Sequence, residues 1–179
     1  MSKVAIQGNA SGNGVLTIAA PNTNSDYTLT LPTNTGTLIS TASTFAGTGP
    51  TFGAYQSTAQ ALSAGVYTKL LFQTEEFDTN SNFASSTFTP TVAGYYQLNA
   101  RFRVSTSVAN QNIFIYKNGS LFKDGVAVDT SSVGMQINCL VYANGTTDYF
   151  EIYGAFSNSQ NTSAGQQATW FNGFLARAA

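Results

Sequence analysis

The chain has no histidine, a single cysteine, four prolines and very few charges: Asp, Glu, Lys and Arg make up 8% of 179 residues. Each shortage excludes something. Without histidine the commonest general base near neutral pH is missing, and Ser-His and Cys-His nucleophile pairs cannot form. One cysteine cannot make an internal disulfide; Cys139, inside the apolar run MQINCLVY, reads as a buried and inert thiol. A net charge of −1 supplies no field for nucleic acid or anionic lipid, so neither is expected as a partner. No apolar run is long enough to span a membrane as a helix, and the opening MSKVAIQGNASG lacks the apolar core of a signal peptide.

The inventory for catalysis is equally thin. There is no G-x-x-x-x-G-K-[ST] phosphate loop, and Gly8, Gly12 and Gly14 sit in a polar stretch rather than between a strand and a helix. Zinc would have to rely on carboxylates. Glu75, Glu76 and Asp78 form the one acidic cluster, which reads as solvated surface rather than a calcium site. Asp124, Asp129, Asp148 and Glu151 are scattered and read as surface or turn residues. The expectation is a protein without enzymatic activity and without a cofactor.

What the chain does contain points to β structure. Thr, Ser, Asn and Gln replace the missing charges, aromatic residues reach 13%, and helix-period patterns are absent. Strand-like runs recur at short spacing between Gly, Pro and Asn clusters, as in an all-β sandwich or barrel. Candidate strands are 52–58, 66–73, 94–105, 112–117, 120–128, 134–143, 148–157 and 169–178, with 75–90 longer and irregular. Asn118-Gly119 and Asn144-Gly145 read as hairpin turns.

Residues 1–44 differ from the rest. They hold one aromatic, Tyr27, and short runs in which apolar residues alternate with Thr: VLTIAA, YTLTLP and TGTLIST. Such a segment buries too little apolar surface to fold alone. It reads as an extended anchoring arm that orders against a neighbouring copy or another protein, through Val15, Leu16, Ile18, Tyr27, Leu29, Leu31, Leu38 and Ile39. Residues 45–51 read as a linker and 52–179 as the folded head.

One stretch has two unlike faces. In TFTPTVAGYYQLNARFRVS, residues 87–105, alternation puts Tyr96, Leu98, Ala100, Phe102 and Val104 on a plain core face. Tyr95, Gln97, Asn99, Arg101 and Arg103 share the other face, which carries two of the seven basic residues. On the last strand, Trp170, Asn172 and Phe174 oppose Phe171, Gly173 and Leu175. If the two strands share a sheet, their outer sides combine aromatics, amides and arginines, the residue types enriched at interface centres. A one-residue slip would exchange the faces and put Trp170 and Phe174 in the core.

Several landmarks occur in order: FGAYQST, then F-T-P-x-x-A-G-Y-Y at Phe88 to Tyr96, Y-K-N-G at Tyr116 to Gly119, and F-x-G-x-L at Phe171 to Leu175. This series resembles the globular head of complement component one-q, in the tumour-necrosis-factor superfamily. The resemblance implies an antiparallel jelly-roll sandwich assembled as a homotrimer, with the outer face of strands 94–105 and 169–178 turned toward the other copies. Residues 12–42 are similar to T-L-T-L-P and T-G-T-L segments of bacteriophage fibre and virion proteins.

Together these expectations describe a trimeric structural protein of a bacteriophage virion. It would decorate the outer shell as a cement protein, binding the major capsid protein or another virion protein through its arm. The alternative is a tail- or head-fibre tip that binds a host-surface glycan, with the loop at 157–167 as the contact. A third reading, a secreted complement-like lectin, is disfavoured by the missing signal peptide.

Overall fold

A computed structural model of the chain describes residues 11–12, 22–26, 49–108, 110–125 and 132–179. The chain divides into two units, residues 1–38 and 39–179. In the first, the Ser25 amide donates to the Thr23 hydroxyl at 3.1 Å, closing a local turn. The arm residues Val15, Leu16, Ile18, Tyr27, Leu29, Leu31, Leu38 and Ile39 lie outside the described residues.

Among the described residues the second unit is built from strands joined by turns and loops. They are β1 (Thr51–Tyr55), β2 (Ala61–Leu62), β3 (Thr68–Lys69), β4 (Thr74–Asp78), β5 (Phe83–Ala84), β6 (Thr87–Phe88) and β7 (Gly94–Val108), followed by β8 (Gln111–Lys117), β9 (Ser120–Asp124), β10 (Ser132–Ala143), β11 (Phe150–Phe156), β12 (Gln160–Asn161) and β13 (Trp170–Ala178). A front sheet runs in the order β10-β7-β13-β1-β4, and a back sheet in the order β5-β6-β11-β8-β9, with β3 also paired to β11. All the pairings are antiparallel. This is the expected all-β jelly-roll sandwich.

Alternation explains the core. Tyr96, Leu98, Ala100, Phe102 and Val104 of β7 all point inward and are buried, as are Ile113 and Ile115 of β8 and Phe150 and Ile152 of β11. Phenylalanines from the two sheets meet in the middle: Phe52 stacks on Phe88 at 4.3 Å and on Phe83 at 4.9 Å, and meets Phe171 edge-on at 4.8 Å. Burial of each such ring contributes about 1.5–3 kcal/mol. Tyr96 is buried with its hydroxyl donating to the Val92 carbonyl at 2.7 Å, and burial pushes its pKa up to about 12.

The structure departs from the sequence reading in several places. Only Thr68–Lys69 of the expected 66–73 strand is a strand, while Glu75–Asp78, expected to be irregular, lies with Thr74 in β4 along β1. The reason is that β4 is an edge strand whose Phe77 lies over Gly53 on the outer face, so it carries no core alternation. Thr51, placed in the linker, already pairs with Phe174.

Asn118-Gly119 is a hairpin turn, with both residues at positive φ (54° and 75°) between β8 and β9, as a two-residue primed turn demands. Asn144-Gly145 is not a hairpin. The strands on either side of it, β10 and β11, belong to different sheets. The Asn144 carboxamide oxygen instead accepts the amides of Thr146, Thr147 and Asp148 and folds the chain across from one sheet to the other. Cys139 is half-buried rather than buried; burial raises its pKa, with Lys123 opposing.

Candidate interaction face

The outer side of the front sheet holds all the residues expected at the interface, and the register places them in rows. Arg101 lies opposite Trp170 and Gln136, Asn99 opposite Asn172 and Asn138, and Gln97 opposite Phe174 and Leu140. Tyr95 pairs with Tyr142 on one side and Arg177 on the other. Strand β1 extends the rows, with Thr51 opposite Phe174, Gly53 opposite Asn172 and Tyr55 opposite Trp170. The core and outer faces of β7 and β13 are therefore as alternation required. Phe171 is fully buried and Phe174 is 46% exposed.

The polar groups of this face are already tied to one another. Gln97 Nε2 donates to Asn99 Oδ1 at 3.1 Å, and Asn99 Nδ2 donates to Asn172 Oδ1 at 3.0 Å. Arg101 Nη1 donates to the Gln167 carbonyl at 3.0 Å, anchoring the loop before β13. Arg103 is exposed further along β7. The half-buried amides thus keep a fixed geometry between the aromatic rows.

Sequence reasoning missed three aromatic or aliphatic members of this surface. Leu140 (55% exposed) and Tyr142 on β10 continue the face past β7, and Tyr142 packs edge-on against Tyr95 at 5.5 Å. Phe77 closes the other end over Gly53. The alternation in GMQINCLVYA would have exposed Leu140 and Tyr142, had their strand been assigned a neighbour. Tyr95, Leu140, Tyr142, Ala176 and Arg177 line a shallow depression of ≈ 740 Å³ at one end of the face.

Other candidates resolve differently. Asp78 spends both oxygens on its own turn, accepting the Phe83 amide at 2.7 Å and the Asn80 amide at 3.4 Å, while Glu75 and Glu76 are exposed. Among the described residues no three Cys, Asp or Glu come together as a metal-holding group. Asp148, which reads as a surface or turn residue in sequence, is only 7% exposed and lies between the two Asn-Gly turns. Burial raises its pKa; the hydrogen bonds from Lys117, Asn118 and the Asn144 amide outweigh this and hold it below the usual carboxylate value.

The loop at 157–167 is partly interior. Thr162 is buried, its hydroxyl donating to Gln56 Oε1, and the Gly165 amide donates to the Gln56 carbonyl at 2.7 Å. Its Gln160–Asn161 segment pairs with Ala61–Leu62.

The sandwich is a jelly roll of the complement one-q and tumour-necrosis-factor type. No family model matches the chain, and no curated protein matches it. Among solved structures, the globular domain of zebrafish complement 1qA protein is similar at a TM-score of 0.54 and 16% identity, covering 73% of this chain and 99% of that one. Murine APRIL at pH 8.0 is similar at 0.56 and 8% identity, covering 70% and 98%. The PRD1 vertex protein P5 is similar at 0.52 and 14% identity, covering 74% and 100%. At these identities the likeness is one of fold.

Proposed function

We propose that the protein is a homotrimeric structural component of a bacteriophage particle, a decoration or cement protein without enzymatic activity. The observation that carries this reading is the outer face of the front sheet. A closed ring of three needs two different patches on each subunit, one to give and one to receive. One patch is Phe77, Trp170 and Phe174 over β4 and β13; the other is Leu140 and Tyr142 on β10. Residues of this kind are the ones that dominate interface energies when desolvated.

The fold shared with a phage vertex protein supports the virion setting, and the Thr-alternating segment before the head supports an anchoring role there. Three arms joined by one trimer bind far more tightly than one, through effective concentration. Binding only the assembled shell then stabilises it. The test has two readouts. Sedimentation equilibrium of the full chain is expected to give three copies. Removing residues 1–44 is expected to preserve the trimer and abolish binding to purified particles. A monomer, or a truncated head that binds as well as the full chain, overturns the reading. Copy number per particle separates the shell from a fibre: a value comparable to the major shell protein means decoration, and a small fraction of it means a tip.

A further inference from the structure

The back sheet carries a second aromatic surface, on the side turned away from the core. Alternation along β8 and β11 places Phe114 and Tyr116 on that side together with Glu151 and Tyr153. Strand β3 adds Lys69 directly opposite Tyr153, and Tyr67 two residues earlier on the same side. The Tyr116 and Tyr153 rings stack at 3.9 Å and 19°. Tyr67 lies over Phe114 at 4.9 Å. Phe114 is only 3% exposed although it is not part of the core between the sheets, so this is a separate aromatic cluster roofed by a tyrosine that is itself 53% exposed.

A compact polar group borders the rings. Glu151 Oε1 accepts from Lys69 Nζ at 2.7 Å and from the Thr87 hydroxyl at 3.2 Å, and Lys69 also donates to Thr87 at 2.7 Å. The Tyr153 hydroxyl shares the same carboxylate; burial first, then Glu151 and the nearby Tyr116 and Tyr149, raise its pKa and keep it a donor.

We infer that this face binds a neutral saccharide, with a pyranose ring laid against the tyrosines and its hydroxyls directed to Glu151, Lys69 and Thr87. A pyranose has an apolar C–H face, which suits aromatic rings, and a rim of hydroxyls that need both donors and acceptors. The carboxylate only accepts, the ammonium only donates, and the Thr and Tyr hydroxyls do both. Lys69 and Glu151 neutralise each other, and Asp124, opposite Phe114 on β9, adds one negative charge, so the face does not attract a polyanion; a neutral polar ligand suits the paired groups beside the rings. The stacked rings and the Lys69–Glu151 pair are held before any ligand arrives, which keeps the ordering cost of binding low. The expected glycan loop at 157–167 has no aromatic ring; here three segments distant in sequence assemble one. The face lies on the opposite sheet from the proposed trimer contact, so it stays open in a trimer and stands without it.

The experiment is saturation-transfer NMR and titration of the full chain with methyl β-D-galactopyranoside, methyl β-D-glucopyranoside and N,N′-diacetylchitobiose, each up to about 20 mM, the range of weak single-site binding. At least one is expected to receive transfer from tyrosine protons. Tyr67→Ala, at an exposed position that folding tolerates, and Tyr153→Ala are each expected to weaken binding about tenfold, and Glu151→Gln by less. Binding of none of the three sugars overturns the inference. So does binding that both tyrosine substitutions leave unchanged, or binding that perturbs only Trp170 on the opposite sheet.

Discussion

Lys117 Nζ lies 2.8 Å from Asp148 Oδ2, and this pair fastens two turns that belong to different sheets. Asp148 also accepts from Asn118 Nδ2 at 2.8 Å and from the Asn144 amide at 2.9 Å, while Asn118 Oδ1 accepts the Tyr149 amide at 3.0 Å. The carboxylate thus holds the hairpin turn of the back sheet against the crossover from the front sheet.

Replacing Asp148 by Ala is therefore expected to cost ~2–3 kcal/mol, because it leaves the half-buried Lys117 ammonium with only the Tyr142 carbonyl and strips the half-buried Asn144 amide of its acceptor. The pH dependence follows from the lowered pKa. A carboxyl group that is more acidic when folded contributes stability above its unfolded value, and loses it as pH falls through the folded value. Urea unfolding between neutral and acid pH is expected to show a fall in stability on the acid side. In Asp148→Asn that component of the fall is expected to be absent.

Gly173 on β13 leaves no room for a side chain. A Cβ there would stand 2.6 Å from Leu98 Cδ2, 3.0 Å from the Gln97 carbonyl oxygen and 3.0 Å from Phe52. The carbonyl belongs to the paired strand and cannot swing aside. Gly173→Ala is expected to destabilise the head by about 1–3 kcal/mol through overpacking, read as a lowered thermal midpoint.

Gln56 is fully buried, with Nε2 donating to the Leu71 carbonyl at 2.9 Å and Oε1 accepting from Thr162. It ties the segment before β4 to the segment before β13. Gln56→Leu is expected to cost ~2–3 kcal/mol by stranding these partners. Amide exchange at Thr162 and Gly165 is expected to accelerate more than at Ile115 in the core, which hydrogen-exchange mass spectrometry reads directly.

The two apolar patches of the proposed trimer make a paired prediction. Leu140→Glu on β10 and Phe174→Glu on β13 each place a charge on one side of the contact, while both positions are exposed within one subunit. Each substitution alone is expected to dissociate the trimer while leaving the circular dichroism unchanged. Light scattering that gives the same mass for both variants as for the parent would exclude this face as the contact.

Much of the molecule is legible in short windows of sequence. The two faces of 94–105 follow from alternation alone, because a strand with a uniformly apolar side can bury only that side. Asn118-Gly119 announces its hairpin for a similarly local reason, since few other residue pairs accept positive φ twice in succession. Where a side chain faces an edge or a neighbouring turn, local pattern fails. Phe77 on β4 reads as part of an irregular acidic run because its ring covers Gly53 from outside. Asp148 reads as a surface residue because the Lys117 that permits its burial comes from β8, far away along the chain.

The class of fold, the core face of β7 and β13, and the poverty of chemistry for catalysis all follow from composition and from the period of two, which are properties of the chain. The choice of neighbouring strands does not. That choice made the row Asn138-Asn99-Asn172 and turned Asn144-Gly145 into a crossover between sheets. It also stacked Tyr116 on Tyr153 beside a Lys69 that lies 82 residues from its partner Glu151. Long-range pairing is set by the summed packing of two sheets, and no local window of sequence contains that sum.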